Sequence, residues 1–124
     1  PHSTHVPHHY GNNFVVYTGT HDNNTTVGWF KDDLDSEARK RLQFYLSSTV
    51  YAKNVADLLI RAAYASVADT VIIPMQDVLS LGKKNRMNTP SSTTGNWKWR
   101  MLPAAFNRYA QERLKSYAKG YDRM

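Results

Sequence analysis

Two short apolar runs, separated by a long stretch of helical pattern, constrain this chain more than any other feature. Residues 14–18 (FVVYT) and 70–73 (TVII) are β-branched and aromatic, and each ends at a chain-breaking residue, Gly19 in one case and Pro74 in the other. The segment between them is too long for a hairpin. It carries two amphipathic patterns, so strand, helices and strand form a βαβ unit. Strands in such a unit run parallel, and their carboxyl ends open on one rim. The sequence therefore predicts an α/β fold in which His21 and Asp22, after the first strand, share a rim with Gln76 and Asp77, after the second.

The first helix is expected to start at Asp35, an N-cap with Glu37 in the first turn, and to bury Ala38, Leu42, Tyr45 and Leu46. The second is expected over residues 54–67, with Val55, Leu58, Leu59, Ala62, Ala63, Ser66 and Val67 as its covered stripe. A last helix is expected over residues 104–119, packing Phe106, Tyr109, Ala110, Leu114 and Tyr117. Between them lies the long polar segment KKNRMNTPSSTTGNWKWRM, whose Trp97 and Trp99 read mainly as packing residues.

Ionisable residues beyond a strand end are functional suspects, because that position serves ligands rather than the core. A His-Asp dipeptide in a turn is by itself also compatible with an Asx turn and a solvated imidazole. The run that follows, Asn23, Asn24, Thr25 and Thr26, suits a hydroxyl-rich ligand or, equally, a helix start with Thr caps ahead of Val27 and Trp29.

Composition removes several classes of function. There is no cysteine, so neither a disulfide framework nor a thiolate-bound zinc can form, and no apolar run has the length to span a membrane. His2, His5, His8 and His9 crowd the first residues, but Pro7 interrupts them and no carboxylate precedes Asp22, so no metal site is assigned. The formal net charge of +6 is uneven. Residues 1–82 hold six Lys or Arg against eight Asp or Glu, and residues 83–124 hold ten against two. A basic third interleaved with Trp97, Trp99 and Tyr109 would suit nucleic acid. Arg108, Arg113, Lys115 and Lys119 also fit the solvated face of one helix, and the latter reading is preferred.

Three motifs in order, VVYTGTHDNNTTVGWF, SVADTVIIPMQDVLSLGKKNRMNTP and GNWKWRM, resemble the C-terminal portion of the 4-α-glucanotransferases, also called amylomaltases or disproportionating enzymes, of glycoside hydrolase family 77. The resemblance covers nearly the whole chain. It implies that residues 1–124 are the C-terminal segment of one catalytic (β/α)₈ TIM barrel, with its last two strands, their helices and a closing helix, and with no internal domain boundary. A barrel of that kind needs about 250 residues. The resemblance further implies a retaining transfer of α-1,4-glucan segments between maltooligosaccharides, with the nucleophile Asp and the acid/base Glu on earlier strands. Asp22 would be the third carboxylate and His21 its neighbour, both binding sugar hydroxyls as the ring approaches the oxocarbenium ion. Asn88 would lie near the sugar, Gln76 would face it or pack at the barrel mouth, and Asp77 would be a structural cap.

The chain departs from the common family pattern at Asn24, where Asp is frequent, and at Ser91, where Gly is frequent. No cofactor is implied, and the partners are the glucan and the rest of the chain's own barrel rather than nucleic acid or membrane. The expected location is cytoplasmic, or a plastid if the source is a plant or alga. The 124 residues alone are expected to be inactive, with an apolar sheet edge exposed. A non-catalytic glucan-binding remnant is the alternative reading.

Overall fold

The computed structural model describes residues 3–124. Of the four clustered histidines, His2 lies outside the described residues. The chain is an α/β unit. Its elements in order are β1 (Val15–Tyr17), α1 (Thr26–Gly28) running into a wider helical turn (Trp29–Asp33), α2 (Ser36–Leu46), α3 (Val55–Ala65), β2 (Thr70–Ile72), α4 (Met75–Val78) and α5 (Arg108–Gly120). The strands pair in parallel, with Val15 opposite Thr70, Val16 opposite Val71 and Tyr17 opposite Ile72. The rim predicted from the sequence is therefore present: residues 18–25 leave β1 on the side where Pro74 and α4 leave β2.

Three of the helices, α1, α2 and α5, begin at a residue whose side chain caps them. Asp35 accepts a hydrogen bond from the Ala38 amide at 2.7 Å, the cap expected for α2. Thr25 caps α1 through Gly28, and Asn107 caps α5 by accepting from the Ala110 amide at 3.0 Å. The last helix thus starts at Arg108 rather than at 104; Ala104 has a left-handed φ of 62° that no helix contains.

Packing falls into two clusters. Val27, Phe30, Val50, Val55 and Ala56 form one, with Leu42 and Leu46 of α2 against them; Val16, Ala63 and Ala68 form the other, under Tyr10, Val71 and Ile73. The deepest positions of α3 are Val55, Ala56, Ile60 and Ala63. Ala56 and Ile60 are outside the predicted stripe, whereas Val67 of that stripe is exposed. The reason is that every residue of α3 except Asp57, Arg61 and Tyr64 is apolar, so periodicity alone does not choose among the remaining positions.

On β1 only Val16 is buried, while Val15 and Tyr17 remain 48% exposed, as does much of Ile72 on β2. Apolar residues on both faces are the pattern of a parallel sheet covered on both sides. Among the described residues only one side is covered.

The basic third is less available than its charge suggests. Arg113 is half-buried, donating to the Val78 carbonyl and lying 3.6 Å from the Asp57 carboxylate, so it is not on the solvated face of α5. Tyr109, placed by periodicity on the packed face, is 74% exposed instead. Arg123 donates to the carbonyls of Tyr64, Ala68 and Ser66 at 2.7, 2.8 and 2.6 Å, closing the end of α3. Arg100 is likewise bound to the Trp97 and Trp99 carbonyls.

Candidate functional site

The rim is built around a buried carboxylate. Asp77, 2% exposed, accepts from the Thr18 hydroxyl at 2.6 Å, the Thr26 amide at 2.8 Å and the Thr26 hydroxyl at 2.8 Å. One side chain from α4 thereby ties the exit of β1 to the start of α1. Its role as a structural cap follows from that geometry, since three protein donors occupy both oxygens of a buried carboxylate.

The polar run after Asp22 is also structural. Asn23 accepts from the Thr20 amide and hydroxyl at 2.7 and 3.0 Å, Asn24 donates to Asp33 at 3.1 Å, and Thr25 and Thr26 serve the helix start. Of the two readings of this run, the helix start accounts for its hydrogen bonds. Gly28 leaves room for this arrangement, since a Cβ there would lie 2.2 Å from the Asn24 carboxamide oxygen and would displace that side chain.

His21 and Asp22 remain, held up at the tip of the turn. The imidazole Nε2 lies 3.4 Å from Asp22 Oδ2, and their side chains are 57% and 52% exposed. The loop after β2 comes across to meet them. Asn88 Nδ2 donates to Asp22 Oδ1 at 2.7 Å, joining two site residues 66 positions apart in sequence. The His21 ring sits 5.1 Å from the Trp97 indole, centroid to centroid. Trp97 is 55% exposed and so is not the packing residue expected, whereas Trp99 is, with its indole N–H on Asn85 Oδ1 at 3.1 Å.

Gln76 stands at the end of β2 as expected but is 8% exposed, and its Nε2 donates to the Asn85 carbonyl at 3.2 Å. It supports the loop from beneath, in the wall of a recess of about 410 Å³ shared with His21, Arg86 and Met87. The loop keeps its shape with Ser91 at a φ of 65°, in the left-handed region that glycine tolerates best. Ser91 thus holds the geometry that a Gly would hold, at a cost of about 1 kcal/mol.

Arg86 was not singled out by the sequence reading. Its Nη2 donates to the Asp22 carbonyl at 3.0 Å and its Nε to the Asn88 carbonyl at 3.2 Å. Asp22 and Arg86 also line the larger concavity of about 800 Å³ below the open face of β1. Among the described residues no group of three His, Cys, Asp or Glu is placed to hold a metal, and no helix is long and apolar enough to cross a membrane.

An imidazole, a carboxylate and a carboxamide gathered beyond parallel strand ends define an α/β unit with a polar rim, at the place where open α/β sheets bind their ligands. The family model for 4-alpha-glucanotransferases matches residues 1–105. A 4-alpha-glucanotransferase of Synechocystis is 41% identical over 95% of this chain and 23% of its own length. A chloroplastic/amyloplastic 4-alpha-glucanotransferase of Arabidopsis thaliana is 48% identical over 78% of this chain and 16% of its own. An amylomaltase from Streptococcus agalactiae, solved in complex with acarbose, superposes with a TM-score of 0.88 at 34% identity, over 95% of this chain and 23% of that one. The chain belongs to the 4-alpha-glucanotransferase family, glycoside hydrolase family 77. It spans a quarter or less of the length of these relatives.

Proposed function

We propose that this chain is the C-terminal part of a (β/α)₈ barrel, within a single catalytic domain, of an enzyme that transfers α-1,4-glucan segments between maltooligosaccharides. The observation that carries the reading is the Asp22–Asn88 hydrogen bond at 2.7 Å with His21 alongside. It leaves a half-exposed carboxylate with Oδ1 anchored on Asn88 and Oδ2 beside the His21 imidazole, with lone pairs to spare for vicinal hydroxyls. Family membership supplies the substrate class, and the amylomaltase of this fold was solved in complex with acarbose.

The reaction in this reading is a retaining double displacement, with the nucleophile Asp and acid/base Glu supplied by the remainder of the barrel. His21 and Asp22 hold the hydroxyls of the sugar being cleaved. As positive charge develops on the anomeric carbon the ring flattens, and hydrogen bonds from those hydroxyls to an anionic acceptor strengthen. Asn88 acts on the sugar side of the same pair, and Gln76 acts through the loop that carries it. Covalent chemistry needs no organic cofactor.

Asp22→Asn in the full-length enzyme tests this, with glucose release from maltotriose as readout. Removing one anionic acceptor is expected to lower kcat by about 100-fold or more with a much smaller change in KM. Wild-type turnover would dismiss the assigned role.

A further inference from the structure

Arg86 joins the two rim loops through one side chain, beside the Asn88 carboxamide. Its Nη2 reaches the backbone carbonyl of Asp22 at 3.0 Å, its Nε reaches that of Asn88 at 3.2 Å, and the Asn88 carboxamide returns to Asp22 Oδ1 at 2.7 Å. These three contacts close a ring through residues that are 64 and two positions from Arg86 in sequence. The two carbonyls belong to the two residues proposed to face the sugar. A guanidinium is planar, with its N–H vectors set in a fixed fork, so binding both carbonyls sets their separation. The turn is closed locally by Asn23 on the Thr20 amide at 2.7 Å, whereas the Asp22 amide itself makes only a long contact, 3.4 Å from the Thr20 hydroxyl. Arg86 is half-buried and borders both concavities beside the rim.

From this we infer that Arg86 is a positioning residue for glucan transfer: it fixes Asp22 and Asn88 relative to one another through their backbone, without touching the sugar itself. The inference rests on the function proposed for Asp22 and adds the group that holds its geometry. A displacement of about 1 Å at a reacting centre costs on the order of 100-fold in rate, which sets the scale of the effect.

The test uses the full-length enzyme and maltotriose. Arg86→Ala is expected to lose about 100-fold in kcat while KM stays within about threefold and the melting temperature is held. Arg86→Lys, which keeps the charge but has no planar fork, is expected to stay well below wild type. Guanidinium ion at sub-denaturing concentration should restore part of the turnover of Arg86→Ala and none of Asp22→Asn. The Arg86→Ala, Asn88→Ala double variant should lose much less than the product of the single losses, because both act on one geometry.

Wild-type kcat in Arg86→Ala, beside an inactive Asp22→Asn, would overturn the positioning role and leave the reading of Asp22 standing. A fall in melting temperature matching the loss of activity, without rescue by guanidinium, would reduce Arg86 to a structural residue and overturn it as well. If Arg86→Ala fails to fold, Arg86→Lys decides: reduced kcat at unchanged melting supports the role, and wild-type kcat refutes it. An active Asp22→Asn would remove the underlying reading instead.

Discussion

Replacing Asp77 with alanine withdraws one acceptor from three donors at once. The Thr26 amide loses its partner at 2.8 Å, and the Thr18 and Thr26 hydroxyls lose theirs at 2.6 and 2.8 Å. Thr26 is 3% exposed, so water does not take over without an opening of the loop. A buried donor left unsatisfied costs about 1–3 kcal/mol, and the two hydroxyls can rotate to other acceptors while the amide cannot. The sum is about 3–4 kcal/mol, or on the order of 100- to 1,000-fold in the equilibrium for local opening. Amide hydrogen exchange in the full-length enzyme reads that equilibrium directly. Peptides covering residues 18–28 should lose protection by about 100-fold or more, while those from α5 stay as in wild type. Thr18→Val, which removes a single hydroxyl, should cost only about 1 kcal/mol. Unchanged protection at Thr26 in Asp77→Ala would refute the claim that this carboxylate holds the rim together.

Two further outcomes follow from single side chains. Tyr117 titrates late, with its pKa pushed up to about 12, first by burial and then by its hydrogen bond to Asp57. A phenol that keeps its proton more tightly when folded contributes stability that is complete below pH 10.0 and is lost as pH rises towards about 12. Absorbance titration should show one tyrosine ionising near that upper value, and Tyr117→Phe should remove both the late step and that part of the alkaline loss of stability. Ser91→Gly relieves a left-handed residue at φ 65° and should raise stability by about 1 kcal/mol, measured as a higher urea midpoint. A lower midpoint would contradict the left-handed assignment.

The parallel pair and its shared rim were legible because strand type and stop residue are local: VVY before Thr-Gly-Thr and TVI before Ile-Pro leave little choice. Caps were legible for the same reason at Asp35. Asn107 carried an equally local signal, and reading it would have moved the start of the last helix to Arg108. What periodicity did not give was the inner face of α3, where Ile60 lies deepest although Leu58 and Leu59 are as apolar. That choice is made by what covers the helix, which is information from elsewhere in the chain. The same holds for the charge. Ten basic residues in the last third invite an anionic partner, yet Arg86, Arg100, Arg113 and Arg123 each donate to backbone carbonyls. At the site, His21, Asp22 and Asn88 were found through motifs, whereas Arg86 was missed because its partner Asp22 is 64 residues away.

The end of α3 shows how far such long-distance dependence extends. No glycine and no proline stops that helix; Ser66 meets the Ala63 carbonyl locally, and the Tyr64 carbonyl is met by the guanidinium of Arg123, 59 positions on. A cation supplied by remote sequence thus shares the work of the local cap. Drift at position 123 would therefore lengthen or fray a helix in a different part of the chain, and a reader of either segment alone would not see why.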